Sequence, residues 1–563
     1  MNAPTPAIVT RAGARRLPRI ALLLLCLAYG LAGFVGRDAW KSADMAALGL
    51  MADMAQGATS WWSPTLAGIP PDEPALLPYW LGAWAIQMAP TWVASDFVAR
   101  IPFMLLLALA MTATWYGTYY LARAPLAQPV AFAFGGEARP TDYARAIADG
   151  AVLALLACLG LAQLAHETTP ALAQLAFASL LLFAAAALSY HRLIALGTAT
   201  LALFGLALSG APWLAALLGG GAAAIQLLDA PPADAQLGAS KRSDGLVLVA
   251  ATGAVLVFCA GLDMLRWKLI NPFSWVLLQG HTELLIWFTW PAWPLTLWTL
   301  WRWRRQLHSR HLALPIWFVV VPGAAAIASD APDRNLLLAL PGLACLAAFA
   351  LPTLKRQLSA LIDWFTLLFF SSCVFIVWVV WIAMQTGVPA QPAANVARLA
   401  PGFAPDYSAS VVALAVLVTA AWGWLVRWRV GRHRAAIWKS LVLPAGGVTV
   451  SLFLALSLWM PLLNYAQSYT LLVRRTLAQI NPNGSECVEF MGLGQGQIAA
   501  FKFYGKLSLR LLQPTNPQCP WLLVEPQFNN QIPISLEAQR WEAPLLIEHP
   551  ANAGESVLLL KRR

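Results

Sequence analysis

Thirteen runs of mostly apolar residues, most of them about 20 long, recur between Leu17 and Leu462. A helix rises 1.5 Å per residue, so a run of about 20 crosses the roughly 30 Å hydrocarbon core of a bilayer. The runs lie at 17–36, 95–122, 144–165, 171–190, 192–209, 212–228, 246–264, 282–301, 312–329, 335–352, 360–384, 408–427 and 436–462. Only Ser209-Gly210-Ala211-Pro212, a tight-turn signal, separates the fifth from the sixth. Charged residues make up 11% of the chain, against about 25% in soluble domains. A surface facing water cannot be covered at that level, which excludes a soluble enzyme, a disordered chain and a fibrous one. The first run follows Arg11, Arg15, Arg16 and Arg19 without a convincing cleavage site, and reads as an anchor.

The formal net charge of +11 would suggest a nucleic-acid partner in a soluble protein. Here the cations concentrate in alternate loops, among them Arg302, Arg304, Arg305 and Arg310 after the eighth run and Arg427 through Lys439 after the twelfth. The other set of loops holds only Arg37, Lys41, Arg100, Arg266, Lys268, Arg334 and Arg398 before residue 464. Cytoplasmic loops collect Lys and Arg, so the expected topology is a cytoplasmic N-terminus, thirteen spans and an external tail. The basic balance is topology, and no nucleic-acid partner is expected. The fold class expected is an all-α polytopic membrane protein, with residues 1–463 in the membrane and 464–563 forming a small C-terminal α/β or β-rich extracytoplasmic domain. In that tail, Glu489–Met491, Ile498–Tyr504, Trp521–Val524 and Val557–Leu560 are short runs broken by Gly, Pro and Asn. Its two cysteines, Cys487 and Cys519, suit a disulfide in an oxidising compartment, whereas Cys26, Cys158, Cys259, Cys345 and Cys373 lie in apolar runs as small core residues. Gly492-Leu-Gly494-Gln-Gly496 lacks the Lys-Ser/Thr end of a phosphate loop, opens no predicted helix, and reads as a turn.

The long external loop at 37–94 carries Arg37, Asp38, Asp44, Asp53, Asp72 and Glu73. Apolar spacing within it predicts two interfacial helices, Ala43–Met54 and Leu76–Met88, the second with Tyr79, Trp80 and Trp84 at headgroup depth. A single acid in such a helix usually faces water. Convergence argues for more: Asp96, His166, Glu167, Asp263, His281, Glu283, Asp330, Asp333 and Arg334 fall at the same ends of other spans. One face collects acids, imidazoles and a few cations, and the other is plainly basic.

The stretch from Trp40 to Met54, with Asp44 ten positions before Met54, resembles the first periplasmic loop of GT-C glycosyltransferases of the ArnT-like and protein O-mannosyltransferase-like kind. Trp62-Ser-Pro, Gly68, Pro71-Asp-Glu73-Pro74 leading to Tyr79-Trp80-Leu81, Ala99-Arg100-Ile-Pro102 and Ser329-Asp-Ala-Pro332-Asp-Arg334 follow in the family's order. The resemblance implies a membrane glycosyltransferase of the inner membrane, taking a sugar from a polyprenyl-phosphate donor at the periplasmic face. The acceptor would be a lipid, a glycan or a protein. Asp44 falls on the family's catalytic Asp and is the expected base; Glu73 falls on an acid that supports the site or binds metal. The cofactor this chemistry admits is a divalent metal ion held by Glu73 and His281, with His166 as a further candidate, although a lone loop His is commonly structural. Two family lysines are replaced, by Pro74 and Asp330, so the donor phosphate is expected on Arg334, Arg266 and Lys268. The replacements leave two readings: a phosphate held differently, or a chain that binds lipid-linked sugar without transferring it. A transporter or flippase is the third, disfavoured because the spans carry almost no charge at mid-depth.

Overall fold

The structure, a computed structural model, describes residues 5–229, 235–265, 275–430, 436–480, 487–513, 518–527, 541–542, 544–549 and 551–562. Each of the thirteen apolar runs falls on a helix or on a helix broken once or twice. Among the described residues, seven helices are long and apolar enough to cross a membrane, and four shorter apolar helices accompany them. The chain is an integral membrane protein. Breaks fall where the backbone is interrupted chemically: Pro291 separates Trp275–Phe288 from Ala292–Arg302, because proline lacks the N–H that a continuing helix needs. Proline also opens several helices, where that N–H would have no partner in any case.

The helices that position the site are α1 (Arg19–Phe34), α2 (Lys41–Ala55), α3 (Leu77–Met88), α4 (Ser95–Ala122), α5 (Pro140–Ala157), α6 (Leu159–Leu164) and α7 (Pro170–Ala187). Helix α7 is apolar all round and buried almost throughout, with Ala, Leu and Phe on every face. Such a helix belongs at the centre of a bundle. Arg356–Thr386 and Ala409–Val430 instead point Leu361, Trp364, Leu368, Phe375, Leu417 and Trp424 outward, as helices bordering lipid do.

The tail folds as an α/β unit. Its sheet has the order β2-β1-β3-β5-β4, from β1 (Cys487–Met491), β2 (Ser508–Leu511), β3 (Trp521–Val524), β4 (Leu545–Ile547) and β5 (Val557–Lys561). β1 runs parallel to β2 and β3, and β5 antiparallel to β3 and β4. Cys487 and Cys519 form a disulfide across a Cα–Cα distance of 5.1 Å. The glycine run differs from expectation: it does open a helix, Gln495–Phe503, with Gly494 at its N-cap. The glycines serve packing. A Cβ on Gly496 would lie 2.6 Å from the Ser42 backbone, and one on Gly49 would lie 2.5 Å from Ala499 Cβ. Small residues thus let the Gln495–Phe503 helix press directly onto α2.

That contact corrects the reading of α2 as a helix with one wet face. Residues Asp44 through Met54 are all buried. Met45, Leu48, Met51 and Met54 form the expected apolar side, but Ala46, Ala47, Leu50 and Ala52 close the other, so no face is polar enough for water. The tail unit covers one side, and α3 the other, where Gly82 sits over Met51.

Candidate functional site

Helix α1 ends at Phe34, and Gly36, at φ +73°, turns the chain toward α2. Lys41, the first residue of α2, also has a left-handed φ of +58°. For a residue with a side chain that costs about 1–3 kcal/mol and persists only where the surroundings fix it. They do so here: Asn464 accepts from the Asp38 N–H at 3.0 Å and the Trp40 indole at 2.8 Å, and donates to Gly36 O at 2.9 Å.

Asp44 lies in the first turn of α2, where a carboxylate is favoured by the exposed N–H groups. It is only 2% exposed. Oδ1 accepts from Thr168 N at 2.7 Å and Thr168 Oγ1 at 2.6 Å. Oδ2 accepts from Arg37 Nη2 at 3.2 Å and Trp40 N at 3.3 Å. One oxygen is held tightly and the other at the long end of hydrogen bonding. Arg37 also donates to His166 O at 2.9 Å and stacks over the Trp40 ring. Burial pushes its pKa down, and Asp44 and Glu167 pull it back. Arg100 is buried, donating to Arg37 O and lying 3.5 Å from Asp96.

The loop between α6 and α7 supplies the rest. Glu167 is buried, and Lys41 donates to it at 2.7 Å. Burial raises the Glu167 pKa and the charge of Asp44 adds to the rise, against the pull of Lys41 and Arg37. The Lys41 side chain is about half exposed and borders a polar cavity of about 330 Å³, also lined by Ser42, Tyr469, His549, Asn552 and Glu555. Glu73 and Arg334 form an ion pair, each side chain 26% exposed. Arg334 sits in the short helix Pro332–Leu337, its N–H held by Asp333 at 2.9 Å. Burial works against the Arg334 cation, but Glu73 outweighs it and pushes its pKa up; the charge of Glu167 acts on it as well. The charge of Glu167 thus reaches the Glu73–Arg334 pair through space. Asp53 pairs with Lys502 and Asp72 accepts from Gln495 at 3.2 Å, so these two acids fasten the loop to the tail.

Of the residues singled out in the sequence, Asp44, Glu73 and Arg334 are thus gathered at one face. Arg266 and Lys268 lie outside the described residues. His166 is a packing residue: Gly33 leaves it space, Tyr29 and Phe34 flank its ring, and Nε2 meets Tyr29 O at 2.9 Å. Burial pushes its pKa down to about 4. Among the described residues no three His, Cys, Asp or Glu side chains gather to hold a metal ion, and the Glu73 carboxylate is engaged by Arg334. Glu167, Thr168 and Lys41 escaped the sequence as a unit. The available signal was the polar stretch His166-Glu167-Thr168-Thr169 between two apolar runs.

No protein-family model and no curated relative matches the chain. Among solved structures, ArnT from Cupriavidus metallidurans bound to undecaprenyl phosphate superposes with a TM-score of 0.63, over 96% of this chain and 97% of that one, at 13% identity. The same enzyme in its apo state gives 0.60, with the same coverage, at 14% identity. The likeness at this identity is one of architecture: over nearly its whole length the chain has the fold seen in ArnT.

Proposed function

We propose that the protein is a membrane glycosyltransferase that moves a sugar from a polyprenyl-phosphate donor to a lipid, glycan or protein acceptor at the periplasmic face. The observation that carries this reading is the Glu73–Arg334 pair, half-buried beside the Asp44–Glu167 cluster in a fold shared with an enzyme solved with undecaprenyl phosphate. A guanidinium offers a planar fork of donors suited to phosphate oxygens. Donor phosphate on Arg334 competes with Glu73 for those donors, so binding frees the Glu73 carboxylate to turn to the acceptor. Glu73 then takes the proton of the acceptor nucleophile as that nucleophile displaces the phosphate from the sugar carbon. Arg334 stabilises the charge gathering on the departing phosphate. Asp44 is the fixed negative charge that orders Arg37, Thr168 and the start of α2. A second reading keeps Asp44 as the acceptor of the proton, and the long contacts of its Oδ2 favour it.

The test is transfer by the purified protein in liposomes, from polyprenyl-phosphate-linked sugars to extracted membrane acceptors. Glu73→Gln should lower kcat by about 10²–10⁴ with an unchanged yield of folded protein. Near-normal transfer by Glu73→Gln, with loss in a folded Asp44→Asn, moves the proton to Asp44. Absence of transfer by the wild type from every lipid-linked sugar tried, with sugar-lipid binding retained, identifies a non-catalytic binder.

A further inference from the structure

A cavity opens beside the start of α1, toward the end of the bundle away from the candidate site. It holds about 540 Å³ between α1, α4 and α5. Below the arginines its apolar lining on α1 runs from Leu22 to Leu31, ten residues and about 14 Å of helix. That matches one leaflet, about half of the roughly 30 Å core. Its walls are apolar, with Leu23, Leu27 and Leu31 exposed along α1 and Met104, Leu107 and Met111 opposite. Gly30 has nothing within 4 Å of where a Cβ would stand, so the wall is open there.

The mouth is charged. Arg16, Arg19 and Arg145 line it together with Asp149. Arg16 is spent on Asp142, at 2.8 and 3.1 Å. Asp149 is buried and accepts from the Trp115 indole at 2.9 Å and Leu17 N at 3.2 Å, which ties the chain before α1 down beside the opening. Arg19 and Arg145 have no hydrogen-bonded or ion-paired side chain among the described residues; both act on Asp149 only through space. Two uncommitted guanidiniums over an apolar slot one leaflet deep match one kind of molecule, an amphiphile with an anionic head.

We infer that this groove binds an acidic two-chain phospholipid of the leaflet on the N-terminal side, its phosphate between Arg19 and Arg145 and an acyl chain along α1 and α4. Basic pockets between spans recognise such headgroups in this way. The site stands apart from the transfer reaction and does not depend on it.

Native mass spectrometry of the detergent-purified protein with added phosphatidylglycerol or phosphatidylcholine tests the assignment. Phosphatidylglycerol should bind the wild type at least about tenfold more tightly. Each cation near an anionic surface contributes about fivefold, so Arg19→Gln with Arg145→Gln should abolish the preference. Gly30→Phe, placed in open space, should evict both lipids while both arginines remain, and decides the matter if the double variant fails to fold. Equal binding of the two lipids by the wild type overturns the inference, as does a preference that survives the arginine changes. Displacement of phosphatidylglycerol by undecaprenyl phosphate, in a manner that needs Arg19 and Arg145, overturns it too, in favour of a second polyprenyl-lipid site.

Discussion

Asp44 and Glu73 belong to the same loop, and both stand out in the sequence as acids of the external face, yet they occupy opposite environments. Asp44 is shut away, with a donor at each of its four lone-pair positions. Glu73 stands at the edge of the protein with one principal partner, Arg334, as exposed as itself. A carboxylate with four donors is a framework charge, because giving up any donor strands a buried group. A carboxylate with one mobile cation can exchange that cation for a substrate. The difference teaches that motif position and chemical availability are separate properties, and that only the second makes a group reactive in the state seen here.

The contrast can be broken most directly at Asp44. Asp44→Ala leaves Arg37 buried without its carboxylate, and losing one partner of a buried pair costs about 3–5 kcal/mol. The yield of folded protein from the membrane should collapse, and thermal unfolding of what remains should shift down strongly. Asp44→Asn should fall between, since its amide nitrogen would face either the Thr168 or the Arg37 and Trp40 donors. Glu73→Ala opens only a partly exposed pair, worth about 0–1 kcal/mol, and should leave the melting temperature within a few degrees. Equal destabilisation by the two alanine variants removes the distinction between framework and reactive acid.

A smaller effect is expected at Arg334. Arg334→Lys keeps the charge and loses the fork, so donor use should fall about tenfold or more, the loss of one charge-assisted bond worth about 1.5–3 kcal/mol, while the amount of folded protein stays the same. Wild-type donor affinity in that variant would remove Arg334 from the phosphate site.

The smallest effect concerns pH. The Glu167 carboxyl titrates above its ordinary value, chiefly through burial, so the folded state binds the proton more tightly than the unfolded one. Its stabilising contribution is present below the unfolded value of about 4.3 and is lost as pH rises through the raised value. Glu167→Gln should therefore gain melting temperature relative to wild type as pH is raised from about 4 to about 8. A difference that stays flat, or shrinks with pH, shows that Lys41 and Arg37 dominate the Glu167 environment.

The apolar runs made the membrane helices legible, because in lipid a backbone must satisfy its own hydrogen bonds and a span announces its length in residues. The paired cysteines and the two loop helices were legible for similarly local reasons. Less so were Glu167 and Thr168: a loop more than a hundred residues after Asp44 reaches it only once α6 and α7 have packed. The burial of Arg100 was not legible either, because it depends on the neighbouring loop rather than on its own helix.

Residue chemistry alone determined which segments enter the membrane, which face gathers the acids, and that the tail is a separate kind of structure from the bundle. Those properties follow from hydrophobicity and charge, which belong to each residue wherever it stands. Tertiary structure decided what each acid can do. It buried α2 beneath the tail through Gly49 and Gly496, fixed Asp44 with four donors, tied Asp53 to Lys502, and left Glu73 facing Arg334. Reactivity depends on which charges lie within a few ångströms and how much water reaches them, and both are settled only when distant segments meet.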